Sequence, residues 1–181
     1  MRSTVLDLVR VSATALLGLY AGGVFFVVIA PSLGRLPGEA YVRYWQSLNT
    51  DYGRVMPPML LTCLALMVTT CVLTYRHGWL VFGLGAVAVL LTVVTIVVTV
   101  AQMEPLNRLA NGWNPAQLPA DWADVRQRWL TLHTVRTIIA VLAFVAFLTS
   151  HTVDRATTSP PTGNPTTSNT VTGYPHTSVA P

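Results

Sequence analysis

Charged residues are scarce in this sequence of 181 residues, and lysine is missing altogether. Eleven arginines and seven Asp or Glu residues make up 10% of the chain, against about 25% in a typical soluble domain. This scarcity argues against an ordinary soluble globule. The arginines stand singly and form none of the basic blocks that are typical of nucleic-acid binding, so we expect no nucleic-acid partner.

The few charges are separated by four long uncharged intervals. These intervals contain 24, 21, 27 and 17 residues, and they follow Arg10, Arg54, Arg76 and Arg136. A helix needs about 20 apolar residues to cross the ~30 Å hydrocarbon core of a bilayer, and 52% of the chain is hydrophobic. The pattern predicts an all-α membrane protein, an antiparallel bundle of four transmembrane helices whose partner is the lipid bilayer.

Cysteine and the common catalytic motifs are also sparse. The two cysteines, Cys63 and Cys71, fall eight residues apart on one predicted helix, which separates them by ~12 Å along the axis. A disulfide tolerates about 7 Å between Cα atoms, so no intrachain bridge is expected. The sequence has no metal-ligand spacing, no glycine-rich phosphate loop and no nucleophile elbow. We therefore expect neither a metal nor another cofactor.

The predicted organisation is one transmembrane domain over residues 1–155 and a tail over 156–181. The helices cover about 6–30, 56–75, 79–103 and 134–153, and Pro57 and Pro58 are placed in the first turn of the second. The tail is rich in Thr, Ser and Pro, and we expect it to be disordered. The absence of lysine beside abundant Ala, Val and Leu suggests a GC-rich genome, and we expect the plasma membrane of a bacterium. The arginine counts leave the orientation and the oligomeric state open.

Two longer amphipathic connections, residues 31–55 and 104–133, lie on the same side of the membrane. The first has an aromatic stripe at helical spacing, for which anchoring at the headgroups is the simplest explanation. The second begins a new helix near Trp122 that continues into the fourth span. Both bring polar residues to one end of the bundle.

Nine of these residues make a candidate site. They come from the first connection, the end of helix three and the start of helix four: Trp45, Asn49 and Tyr52; Glu104, Asn107 and Arg108; Trp129, His133 and Arg136. Each has a simpler explanation, such as an arginine that snorkels to the interface or an i, i+4 ion pair. Ionisable residues near membrane depth are rare, however, and mark functional sites when they face the interior. The combination therefore predicts one site.

The same segments resemble the anthrone-oxygenase-like family of small membrane proteins. The most specific pieces are Glu104-Pro-Leu-Asn-Arg108 and Trp129-Leu-Thr-Leu-His-Thr-Val-Arg136. More generic likeness lies in Gly22–Phe26, Ala30–Pro37 and Gln46–Asn49, so that the resemblance spans about Leu16 to Leu148.

The resemblance implies a cofactor-free oxygenase that oxidises a lipophilic anthrone or polycyclic phenol with O2. His133 would be the base, because an unperturbed imidazole titrates near neutral pH. Arg136 and Asn107 would hold the oxyanion. The flat substrate would be bound by the remaining candidates, namely Trp129, Trp45 and Tyr52 by stacking, with Asn49, Glu104 and Arg108 beside them.

Two other functions remain open from the sequence. In the first, the protein is not an enzyme, and Asn107, Trp129 and Arg136 clamp helices three and four together. In the second, it carries a lipophilic small molecule and binds it without turnover.

Overall fold

Five α-helices make up most of the structure, a computed structural model that describes residues 2–158. They are α1 (Arg2–Val28), α2 (Gly38–Thr74), α3 (Trp79–Val98), α4 (Glu104–Asn111) and α5 (Trp122–Thr158). A π-helical turn at Thr99–Met103 joins α3 to α4, and a short 3-10 turn lies at Leu33–Arg35. No β-strand occurs within residues 2–158, so the all-α prediction is confirmed.

Four stretches of helix are long and apolar enough to cross a membrane. They are Thr4–Arg35, Gly38–Thr74, Trp79–Asn111 and Trp122–Asp154. The main contacts join α3 to α5, α1 to both α2 and α5, and α2 to α3. Many apolar side chains point outward and stay more than half exposed, as lipid-facing residues do, for example Leu61, Val72, Leu90 and Leu142. The chain is therefore an integral membrane protein built as a four-span helix bundle.

The second helix is longer than the sequence predicted. It begins at Gly38 rather than at residue 56, so the amphipathic part of the first connection is the first half of α2. Pro57 and Pro58 lie inside this helix, not in its first turn. Prolines are tolerated within membrane helices where neighbouring helices and local adjustments compensate for the lost hydrogen bonds. Here Tyr41 and Trp45 are buried against α4 and α5, and that packing outweighs the two missing amide donors.

The third predicted helix changes from α-helix to a π-helical turn near its end. Regular α-helix stops at Val98, and the amide of Glu104 donates to the carbonyl of Thr99 five residues earlier. Pro105 follows at the start of α4 and has no amide of its own to donate, which favours a wide turn just before it. The predicted continuation from Trp122 into the fourth span is present as α5. That helix extends through Thr158, and the rest of the predicted tail lies outside the described residues.

Small residues let the helices approach closely in the middle of the bundle. Ala13, Cys63, Met67 and Ala88 are completely buried there, and the two cysteines are free thiols. A Cβ at Gly85 would lie 2.9 Å from the Sγ of Cys71. A side chain at residue 85 would therefore require Cys71 to move, because α2 and α3 approach closely here, as expected where packing drives helix association in lipid.

Candidate functional site

A cavity of about 400 Å³ lies between the helices at the end of the bundle that carries α4. This volume falls in the range of roughly 300–1,000 Å³ that is usual for small-molecule sites. Its wall is largely apolar, with α1, α2 and α3 contributing residues such as Val24, Leu60 and Ile96. Seven of the nine predicted site residues line it, namely Asn49, Tyr52, Glu104, Asn107, Trp129, His133 and Arg136.

The hydrogen bonds of His133 define its protonation. The side chain is 2% exposed, and its Nε2 lies 2.9 Å from the backbone oxygen of Val24. A carbonyl oxygen only accepts, so Nε2 carries the hydrogen and donates it. The other ring nitrogen, Nδ1, lies 2.8 Å from Nη2 of Arg136. A guanidinium only donates, so Nδ1 is unprotonated and the imidazole is neutral.

Arg136 brings a positive charge to the cavity wall without a carboxylate beside it. Its Nη1 is 3.4 Å from the hydroxyl oxygen of Thr99, at the start of the π-helical turn. In the part of the chain that the structure describes, no Asp or Glu lies within 4.0 Å of this guanidinium. Its Nε is buried and has no hydrogen-bond partner within the same residues. An anionic oxygen in the cavity would therefore find an uncompensated cation there.

Asn107 is held in place by two tryptophans. Its Oδ1 accepts hydrogen bonds from Nε1 of Trp45, at 3.1 Å, and from Nε1 of Trp129, at 2.9 Å. Its Nδ2 lies 3.5 Å from a carboxylate oxygen of Glu104. The ring of Trp129 in turn stacks on His133, with centroids 4.9 Å apart and planes 20° from parallel. Asn107, Trp129, His133 and Arg136 therefore form one continuous chain of contacts.

Two of the predicted residues lie elsewhere. Trp45 is 1% exposed and packs behind the wall, with its ring 5.2 Å from that of Trp129, so it supports Asn107 and does not face the cavity. Arg108 is on the outer surface, where its Nε is 3.0 Å from Glu104. Asn49 lines the cavity and also donates to Oδ1 of Asn111, which links α2 to α4.

Parts of the wall are not evident from the sequence. Tyr20 on α1 lines the cavity, and so does Thr99 in the π-helical turn. Tyr20 is one turn before Val24, and a polar aromatic in a helix of small apolar residues is the signal that could have indicated it. Thr99 gave no such signal, because it is one of several threonines in a β-branched run. No cluster of three or more His, Cys, Asp or Glu residues that could hold a metal occurs in the described residues.

A second polar cluster lies at the opposite end of the bundle and was also missed. Arg10 and Asp154, both more than nine-tenths buried, form an ion pair through Nη2 and Oδ2. The Nδ1 of His77, in the turn between α2 and α3, lies 2.9 Å from the other oxygen of Asp154. We call these three residues the clasp. In the sequence they stand near the ends of three spans on one side, which is the signal that could have brought them together.

The fold and the cavity define a class of protein: an integral membrane four-helix bundle with an arginine–histidine pair in an apolar internal site. The family model described as "Anthrone oxygenase" matches residues 45–146. This is more than half of the chain, so the protein belongs to the anthrone oxygenase family. The match includes both specific motifs and begins after the Gly22–Pro37 part of the resemblance. Comparison with curated proteins and with solved structures gave no significant match.

Proposed function

We propose that this protein binds a lipophilic anthrone or polycyclic phenol in the cavity and oxidises it with O2 without a cofactor. The observation that carries the proposal is Arg136, which has no carboxylate partner among residues 2–158 and lies on the wall of a largely apolar cavity. Such a wall favours a flat apolar molecule that becomes negatively charged during the reaction. The family to which the chain belongs supports the same chemistry.

The reaction balances without any further reagent. An anthrone loses a proton from its CH2 carbon and becomes an enolate, whose oxygen Arg136 would stabilise. The carbon then donates electrons to O2 and forms a C–O bond, which gives a hydroperoxide after protonation. Loss of water from the hydroperoxide converts this carbon to a carbonyl. The substrate is oxidised to the quinone, and one oxygen atom of O2 leaves as water.

His133 is the base in this proposal, and its hydrogen bonds impose a condition. The lone pair of Nδ1 is occupied by Arg136 in the structure. To take the proton, Nδ1 must exchange this contact for one with the substrate, and the released Nη2 of Arg136 becomes available to the enolate oxygen. The base and the oxyanion donor are therefore freed in the same movement.

Asn107 has a positioning role in the proposal. Its oxygen is satisfied by two indole N–H groups, so it orients Trp129, which stacks on His133. This geometry equally favours the structural clamp that the sequence left open, so a clamp and an active site are not mutually exclusive here. Trp129 and Tyr52 remain the candidates for contact with the substrate rings.

Oxygen consumption by purified protein in detergent, with an anthrone as substrate, tests the proposal. We expect Arg136→Gln to lower the rate by about 10²-fold, the effect of losing one oxyanion donor. His133→Ala should lower it by roughly tenfold or more. Arg128→Gln is the matched control, since Arg128 is an exposed arginine on the same helix and does not line the cavity.

Two results would count against catalysis. A wild-type rate no higher than that in buffer would eliminate this substrate class. Saturable binding of the substrate without oxygen consumption would favour the carrier function instead.

A further inference from the structure

Exposed side chains from two spans meet at one edge of the cavity. Leu61 on α2 and Val100 in the π-helical turn both line the cavity, yet they are 59% and 64% exposed. Pro57 is one turn before Leu61 and Ile96 is one turn before Val100, and both line the cavity as well. Side chains that line a cavity and are also largely exposed stand at an opening in its wall. We call Pro57, Leu61, Ile96 and Val100 the rim.

The rim lies at a level where α2 is separated from the third span. Nearer the clasp, α2 and α3 touch, and the hydroxyl oxygen of Thr92 lies 3.7 Å from the Sδ of Met67. Nearer the headgroups, α2 is joined to α4, because the amide of Asn49 donates to Oδ1 of Asn111 at 3.1 Å. The main contacts of α2 are with α1, α3 and α4, and they do not include the π-helical turn between α3 and α4. The cavity therefore opens outward through a gap between α2 and this turn.

This opening faces lipid and not water. The rim belongs to the second and third of the four membrane-spanning stretches. Leu61 is seven residues beyond Arg54, and Val100 is four residues before Glu104. At 1.5 Å per residue, these spacings place the rim ~6–10 Å inside the nearest charges along the helix axes. The exposed neighbour Val97 is also apolar. The surroundings at this depth are the hydrocarbon core of the bilayer.

We propose that the opening framed by the rim is a lateral portal, through which a lipophilic ligand passes from the hydrocarbon core of the bilayer into the cavity without crossing water. A polycyclic aromatic is concentrated in that core, because its transfer out of water is favourable. It passes between Leu61 and Val100 and reaches Arg136, which lines the same cavity from α5. The inference rests on the proposed function only for the aromatic nature of the ligand.

Labelling of a thiol inside the cavity tests this inference without any turnover. The reporter is Thr99→Cys in a Cys63→Ala, Cys71→Ala background. Thr99 lines the cavity and lies beside Arg136, whose charge favours the reactive thiolate. The protein is reconstituted in phosphatidylcholine vesicles and treated with N-(1-pyrenyl)maleimide. This polycyclic aromatic dissolves in the bilayer and becomes fluorescent when a thiolate adds to its double bond, so the rise in fluorescence gives the rate of entry.

Narrowing the portal is the decisive change. Leu61→Phe with Val100→Phe adds bulk at the opening, and we expect labelling by the pyrenyl reagent to slow by about tenfold, an added barrier of about 1.4 kcal/mol. Leu73→Phe with Val97→Phe is the matched control, because these exposed residues of α2 and α3 do not line the cavity. The control should not change the rate. Methyl methanethiosulfonate, which is small and uncharged, should label both double variants equally and so show that the thiol itself is unaltered.

A reagent that stays in water tests for entry from the other direction. The anionic 2-sulfonatoethyl methanethiosulfonate is supplied on both sides of the vesicle membrane. We expect it to label the Thr99→Cys reporter far more slowly than Arg128→Cys in the same background, since Arg128 is exposed near the headgroups.

Three results would overturn the inference. The first is no labelling of the reporter by the pyrenyl reagent, and the second is an equal rate in the rim and control double variants. The third is labelling of the reporter by the sulfonate reagent as fast as that of Arg128→Cys, which would place the entrance on the water side.

These outcomes are separate from those of the proposed function. A protein that consumes no O2 can still admit the pyrenyl reagent through the portal, which would support this inference and remove the oxygenase. Conversely, oxygen consumption with an anthrone can occur in a protein that takes its substrate from the water side.

Discussion

The two ends of the bundle, a closed end that holds the clasp and an open end that holds the cavity, each contain an arginine that is at least partly buried, but they treat its charge in opposite ways. In the clasp, Arg10 is paired with Asp154, and His77 contacts the second oxygen of the same carboxylate. In the cavity, Arg136 is hydrogen-bonded to a neutral imidazole and a hydroxyl, and faces open space. A compensated charge ties helices together, whereas an uncompensated charge beside a cavity remains available to a ligand.

The clasp also differs in what it connects. Arg10 is near the start of α1, Asp154 is near the end of α5, and His77 is in the turn between α2 and α3. Three chain segments are thus held by one carboxylate at the closed end. At the open end the polar contacts run around the cavity and leave its interior empty of side chains. We therefore expect the clasp to contribute mainly to stability, whereas the proposed ligand chemistry lies at the open end.

The largest expected effect is that of removing the arginine from the clasp. Arg10→Met removes the guanidinium that is paired with the buried Asp154, and we expect the free energy of unfolding to fall by about 3–5 kcal/mol. The measurement is unfolding in mixed detergent micelles, followed by circular dichroism. A double variant, Arg10→Met with Asp154→Leu, should recover most of this loss, since no buried charge remains. A loss below about 1 kcal/mol in the single variant would contradict the structural role of the clasp.

Asn107 joins helices through buried hydrogen bonds, as the clasp does. Its replacement should give the next largest loss of stability. Asn107→Leu leaves two buried indole N–H groups without an acceptor, at roughly 1–3 kcal/mol each. We expect the free energy of unfolding to fall by about 2–4 kcal/mol. Asn111→Leu is the control on the same helix, because it removes only the exposed contact with Asn49, and it should cost less than about 1 kcal/mol. Equal losses in the two variants would show that the indole contacts are not essential.

The same substitution as in the clasp, made at the open end, should affect stability less. Arg136→Met leaves behind only a neutral ring nitrogen of His133, and we expect the free energy of unfolding to change by about 1 kcal/mol. The same unfolding assay, run beside Arg10→Met, makes the comparison direct. A loss as large as that of Arg10→Met would mean that Arg136 is a structural ion rather than part of a site.

His77 should give the smallest effect of the series. Its side chain is 35% exposed, and Asp154 keeps Arg10 when the imidazole is removed. His77→Ala is therefore expected to lower the free energy of unfolding by about 0.5–1 kcal/mol, as for other partly exposed pairs. A larger loss in the unfolding assay would show that His77 is as important for stability as the other clasp residues.

Local features of the sequence were enough to predict the four spans and seven of the residues that line the cavity. Within residues 104–108 and 129–136, the predicted site residues are three or four positions apart. Residues at this spacing lie on the same face of a helix. The sequence could not show that Trp45 lies behind the wall and Arg108 outside it, because both positions fit the same amphipathic pattern. The start of α2 was missed for a similar reason, since two adjacent prolines normally mark a helix start and only packing reveals the exception.

The sequence by itself determined the membrane class and the number of spans, because uncharged intervals of sufficient length have no other favourable environment. It also predicted that polar residues gather at the end of the bundle where the cavity lies. The tertiary structure alone decided which charges are compensated. Arg10 and Asp154 are 144 residues apart in the chain, and Nε2 of His133 donates to the backbone oxygen of Val24, 109 residues away. Such pairings depend on how the helices pack around one another, and no local pattern encodes them.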